Sequence, residues 1–186
     1  RFQQDHGIYS AGALNLTIRR NVFYDVTRGY PLHIYRSGGG THRNILVHHN
    51  TISGKSPTNK PYGQILLCQT LENIQIRNNI FHDSPLGYAV QYCSVTPTAS
   101  GVSITYNLSN SPVSNLQNPS NRPSSGVTST SNITNTNPAF ISASTRDYRL
   151  TSSSPAINRG TTSGVPVVPD GRPDIAAYEY SVQNNI

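Results

Sequence analysis

Acidic residues are scarce in this chain, and they are spread along it. Eight occur in 186 residues: Asp5, Asp25, Glu72, Asp83, Asp147, Asp170, Asp174 and Glu179. A hard cation such as calcium needs several carboxylate or carbonyl oxygens around one point, and no carboxylate cluster is seen; no cofactor is expected, with calcium left as the open alternative. Cysteine occurs only at Cys68 and Cys93, too few for a metal site of their own. No apolar run approaches the roughly 20 residues of a membrane-crossing helix. Basic residues nowhere cluster beyond Arg19-Arg20, which argues against a nucleic-acid binder. Methionine and tryptophan are absent, which excludes little.

What is present is polar and rhythmic. Only 34% of residues are hydrophobic and 12% charged, a composition that can signal disorder. The first hundred residues, however, lack charge runs and Pro/Gln tracts and carry a regular apolar pattern instead. The length suits one domain. The net charge of +6 comes almost wholly from arginine, Lys55 and Lys60 being the only lysines, and a basic surface implies an anionic partner.

Four segments read alike: Asn15-Leu-Thr-Ile-Arg-Arg-Asn21, Asn44-Ile-Leu-Val-His-His-Asn50, Asn73-Ile-Gln-Ile-Arg-Asn-Asn79 and Val102-Ser-Ile-Thr-Tyr-Asn107. The closing asparagines Asn21, Asn50, Asn79 and Asn107 are 29, 29 and 28 residues apart. Leu16 and Ile18 alternate with Thr17 and Arg19, and the pairs Ile45/Val47, Ile74/Ile76 and Val102/Ile104 repeat the pattern. Period two over so few residues means strand. An apolar pair or residue follows each asparagine (Val22-Phe23, Thr51-Ile52, Ile80-Phe81, Leu108). A further strand precedes each segment, as in Leu32-His33-Ile34-Tyr35. One repeat thus holds about three short strands, and no single repeat can bury its own apolar face. At a tight corner, asparagine tolerates unusual backbone angles and can bond to its counterparts above and below as a ladder.

The pattern over residues 6–140 resembles the right-handed parallel β-helix superfamily of pectate-lyase-like proteins. The expected fold is all-β: about five coils over residues 1–140, with protruding loops at 53–61 and 109–136. Asn137-Pro-Ala-Phe140, Asp147-Tyr-Arg-Leu150, Ser154-Pro-Ala-Ile-Asn158 and the run Asp170 to Tyr180 look like the closing segment of secreted bacterial members. Residues 141–186 are therefore expected to cover the last coil, and the resemblance implies an extracellular protein. Nothing before residue 6 reads as a cap, so upstream coils or a stacking partner are expected at that end.

Two groups of residues suggest chemistry. Arg19, His48 and Arg77, followed by Thr105, fall at equivalent outward positions and would make a cationic stripe for a polyuronate. Their alternative is ordinary polar surface. On the preceding strand Tyr9 and Tyr35 are expected to align, with His33 and Arg36 beside them and Asp5 and His6 just upstream. This set is distantly similar to the Asp/His/Tyr sites of mannuronan epimerases and some alginate lyases, although the Asp-Pro-His order is absent. The resemblance implies His33 or Tyr35 as the base at a sugar C5 and Arg36 as the group steadying the uronate.

Other chemistries fit less well. Hydrolysis needs neighbouring acids, and Asp25 and Asp83, two coils apart, read as turn formers. Lys55, in Ser53-Gly-Lys-Ser56, superficially resembles the Lys-Ser motif of chondroitinase-B-like lyases but falls in a loop. Cys68 and Cys93, about one coil apart, suit either a disulfide or two buried thiols. Sequons stand at Asn15, Asn107 and Asn132. The sequence leads to two expectations. One is a secreted protein that binds an acidic polysaccharide or modifies it by β-elimination or C5 epimerisation. The other is a non-enzymatic scaffold that assembles end to end, or the C-terminal part of a larger β-helix enzyme.

Overall fold

The computed structural model describes residues 5–54, 62–165, 168 and 171–181. Each repeat is a coil of three short strands. The first coil holds β1 (Ile8–Ser10), β2 (Leu14–Arg19) and β3 (Val22–Phe23); the second holds β4 (Leu32–Ile34), β5 (Thr41–His48) and β6 (Thr51–Ser53). The third holds β7 (Ile65–Leu67), β8 (Thr70–Arg77) and β9 (Ile80–His82). The fourth holds β10 (Val90–Tyr92), β11 (Thr98–Ser100), β12 (Val102–Thr105) and β13 (Leu108–Ser109). Like strands pair in parallel, giving three sheets: β1-β4-β7-β10, β2-β5-β8-β12 with β11 also beside β8, and β3-β6-β9-β13. The protein is a parallel β-solenoid.

The stack makes about four turns rather than five. Beyond the fourth coil, among the described residues, β14 (Val127–Thr130) alone joins the stack as a strand, beside β12, while Gln117 and Ile133 make single bridges to Val90 and Leu108. The polar loop expected at 109–136 is thus an incomplete fifth coil, too poor in apolar residues to build the other two strands.

The repeat places the core. Ile45 aligns with Ile74, and Val47 with Ile76 and onward to Ile104. These side chains join Leu32, Ile34, Ile65, Leu67, Val90 and Phe81 in one interior column. Each such burial contributes roughly 1.5–3 kcal/mol.

The corner column is polar and fully used. Asn50, Asn79 and Asn107 are completely buried. Asn50 donates from Nδ2 to the oxygens of Ile18 and His48 and to Asn79 Oδ1. Asn79 and Asn107 repeat this one coil further on. The ladder has a fifth member, Asn132, whose Oδ1 accepts from Asn107 and whose Nδ2 donates to Ile104 O. The shorter 25-residue spacing hid it in the sequence. Contrary to expectation, the ladder asparagines do not themselves take the left-handed backbone. The residue before each one does: Arg20, His49, Asn78, Tyr106 and Ser131 have φ between 51° and 57°. That geometry turns the chain and leaves the asparagine free to point inward. A second, exposed ladder runs from Asn73 through Asn44 to Asn15, with each Nδ2 donating to the next Oδ1 at 2.9 Å.

The closing segment begins with an antiparallel hairpin, β15 (Phe140–Ser142) and β16 (Asp147–Leu150), joined through a short helical turn. It meets the last coils at Leu108 and Ile133. It also continues along the outer face of the third sheet. Ile80 and Leu108 pack with Leu150, Ala156, Ile175 and Ala176 in a second core. The backbone N–H of Ala177 donates to Thr51 Oγ1, and Arg146 reaches Asp25 in the first coil. Ile80 and Phe81 are both buried because that sheet is covered on both faces.

Candidate functional site

The outer face of the first sheet gathers the largest group of candidate residues. Tyr9 pairs with His33 in register, and not with Tyr35 as expected; His33 in turn pairs with Leu66. Tyr35 lies two residues further along the same strand direction and so shares the face. Ring centroids are 5.0 Å apart for Tyr9–His33, 5.4 Å for His33–Tyr35 and 6.4 Å for Tyr9–Tyr35. Tyr9 is 46% exposed, a large aromatic held at the surface. Tyr30 and Tyr62 form the floor, their rings 4.7 Å apart. Neither is marked by the strand repeat, because both lie in the turns before β4 and β7. Below them Cys68 and Cys93 are joined as a disulfide with Cα atoms 5.2 Å apart, which settles the alternative left open.

His6 binds into this face, and its hydrogen bonds fix where the protons sit. The Tyr30 backbone N–H donates to His6 Nδ1 at 2.9 Å, so His6 carries its proton on Nε2. That Nε2–H donates to His33 Nδ1 at 2.8 Å. His33 therefore bears its own proton on Nε2. Protonating His33 at Nδ1 would set two N–H groups against each other. Burial first, and then the neighbouring His6 imidazole, lower the His33 pKa to about 4. The imidazole expected to act as base has its lone pair already occupied and offers a donor instead.

The other candidates separate. Asp5 pairs with Arg28 at 3.1 Å. The Arg36 side chain runs along Gly12 and Gly40 in the turn between the first and second sheets; a Cβ on Gly12 would stand 2.8 Å from its Cδ. Arg36 therefore does not join His33 and Tyr35 over the sheet.

The stripe is in register as expected: Arg19 aligns with His48, His48 with Arg77 and Arg77 with Thr105. It is not an open surface. His48 and Arg77 are buried, and Arg77 Nη2 donates to Gly164 O of the closing segment.

A cleft of about 370 Å³ that the sequence analysis did not assign lies between the third sheet and the hairpin. It is lined by Asp25, Ser53, His82, Asp83, Arg146 and Tyr148, among others. Asp25 and Asp83 both have φ of 50°, in keeping with turn formers. Gly54 lines the cleft with them, and a Cβ on it would stand 3.1 Å from the Asp25 backbone nitrogen. Ser53 Oγ and Asp83 Oδ2 approach the same nitrogen of His82, at 3.0 and 3.5 Å. A nucleophilic relay needs them on opposite nitrogens, so these residues do not form one. The equivalent placing of Asp25 and Asp83 in sequence was the one available signal; the hairpin that closes the cleft had none.

Among the described residues no group of three or more His, Cys, Asp or Glu side chains is placed to hold a metal. Lys55, Asp170 and most of the loop at 53–61 lie outside the described residues. The sequons at Asn107 and Asn132 are occupied by the ladder, whereas Asn15 is exposed. No family model, curated protein or solved structure matches this chain.

Proposed function

We propose that this chain is an extracellular β-solenoid of the pectate-lyase-like kind that binds an acidic polysaccharide across the outer face of its first sheet. The observation that carries the reading is the Tyr9–His33–Tyr35 surface. Tyrosine faces accept the C–H groups of sugar rings, while the phenols and the outward His33 Nε2–H reach sugar oxygens. The rings rest on Tyr30, Tyr62 and a disulfide, so little side-chain freedom is lost on binding. The excess of arginine favours a polyanion over a neutral glycan.

Binding is favoured over turnover. Both β-elimination and C5 epimerisation start with a base free to accept a proton, and the His6–His33 pair holds one proton per ring with no lone pair open towards the sheet surface. Among the described residues, base candidates on this face are reduced to the phenols of Tyr35 and Tyr9, without Arg36 beside them. The test is calorimetric titration of the chain with polyuronate and neutral oligosaccharides, together with the ultraviolet absorbance of unsaturated uronates. Saturable binding that Tyr9→Ala weakens by about ten-fold, with no rise in absorbance, is the expected result. A rise in absorbance abolished by Tyr35→Phe would make the protein a lyase. No binding to any glycan, together with concentration-dependent assembly, would favour the scaffold reading instead.

A further inference from the structure

We propose that Arg159, Arg172 and Tyr106 form a second binding cleft, for the carboxylate or sulfate of a charged sugar. The proposal rests on the polysaccharide reading only for the kind of molecule that carries the anion; the site is separate from the aromatic face. The column of left-handed corner residues runs Arg20, His49, Asn78, Tyr106, Ser131. The closing segment crosses this column in its middle, where Thr161 bonds Asn78. Tyr106 and Ser131 are left uncovered beyond the crossing. They form the floor of a cleft of about 480 Å³ whose walls are Arg159 and Arg172. That volume falls in the range of small-ligand sites, roughly 300–1,000 Å³.

Among the described residues the cleft is lined by two arginines and by no carboxylate. The nearby Asp174 is buried and accepts the backbone N–H groups of Asn158 and Tyr180, while Glu179 accepts that of Asp174. These acids are held within the closing segment. Arg172 is positioned by its Nε bond to Gly160 O at 3.1 Å. Arg159 is exposed and makes no hydrogen bond or ion pair among the described residues. Arginine presents a planar fork of donors that matches an oxyanion in two parallel hydrogen bonds.

The floor is rigid and locally strained. Asn132, also lining the cleft, is fastened by the ladder at Oδ1 and Nδ2. Tyr106 holds φ of 54°, a left-handed conformation that a bulky aromatic seldom adopts. The same left-handed φ recurs at every corner of this column, so the fold itself sets the backbone that carries Tyr106. Tyr106 lines the cleft together with the two arginines, a combination suited to a sugar that bears an anion.

The full chain is titrated calorimetrically with three oligosaccharides of equal length: one uronate-bearing, one sulfated and one uncharged. Arg159→Ala, Arg172→Ala and Tyr9→Ala are titrated in parallel. Arg159 is exposed, so its variant is expected to keep the parent's circular dichroism and melting temperature; that is checked first. The expected result is that a charged oligosaccharide binds about ten-fold or more tightly than the uncharged one, and that Arg159→Ala removes this preference while sparing the uncharged ligand. The uronate and sulfate arms identify the oxyanion. Unchanged charged-sugar affinity in Arg159→Ala, or equal affinity for charged and uncharged sugars, overturns the proposal. Loss in Tyr9→Ala alone overturns this cleft and keeps the aromatic face. Loss in Arg159→Ala alone keeps the cleft and removes the aromatic face. Binding of none of the three overturns both.

Discussion

Asn78 in the third coil and Thr161 in the closing segment exchange two hydrogen bonds of 2.9 Å across 83 residues. The Thr161 N–H points at Asn78 Oδ1, so the amide nitrogen must face the other way, to Thr161 O and to His49 Nε2 at 3.2 Å. His49 is thereby an acceptor at Nε2 and carries its proton on Nδ1, which donates to His48 Nδ1 at 2.7 Å. One backbone contact between two distant segments thus fixes the protonation of two buried histidines.

Stability should fall on the acid side. Burial is the main cause that lowers both pKa values to about 4, aided by Arg77, Arg19 and Arg20 around His48, and by His48, Arg20 and Arg77 around His49. In the unfolded chain these groups titrate near 6.5, so between about 4 and 6.5 the unfolded state binds more protons. Their contribution is complete above about pH 6.5 and is lost as the pH falls to about 4; taken as one titration, the pair accounts for on the order of 3 kcal/mol. Urea unfolding across this range measures the slope, and His49→Asn should flatten it. A midpoint independent of pH in the parent protein would refute the assignment.

Removing His6 should release His33. The His6→Phe variant keeps an aromatic ring but loses the donor at His33 Nδ1 and the second cause of the depression. The His33 pKa should rise from about 4 towards, yet stay below, its ordinary value, because burial remains. Ring-proton chemical shifts followed through a pH titration read this directly.

The ladder should weaken more when an inner rung is removed than when its end is. Asn50→Ala strands the oxygens of Ile18 and His48 and breaks the bonds to Asn21 and Asn79. A loss of about 3 kcal/mol is expected, against about 1 kcal/mol for the half-buried Asn21→Ala at the end of the row. Chemical denaturation of the two variants supplies the comparison. Equal losses would show that the row acts as separate contacts.

Reducing the Cys68–Cys93 bond opens a 25-residue loop in the unfolded chain. A closure of that length is worth about 3 kcal/mol, so a reductant should lower the melting temperature clearly. The same treatment should loosen the Tyr30–Tyr62 floor, which packs with the disulfide and Leu66. Tyrosine fluorescence before and after reduction tests that link.

The sequence by itself determined the solenoid. Its 28- and 29-residue spacing and period-two apolar pairs are local, repeated properties, and stacking identical strands is their one efficient burial. It also placed Asn21, Asn50, Asn79 and Asn107 as a ladder and put Arg19, His48 and Arg77 in one column. Tertiary structure decided what the repeat does not encode. The irregular spacing before Asn132 concealed the last rung. The turn residues Tyr30 and Tyr62 entered the aromatic face only because coils stack. Arg77 meets Gly164, and the two clefts have their walls, only because the closing segment packs back along the coils. That segment makes its contacts across as many as 126 residues, such as Ala177 to Thr51. A local pattern carries no record of contacts at such separation, because they depend on where the whole stack presents an uncovered face.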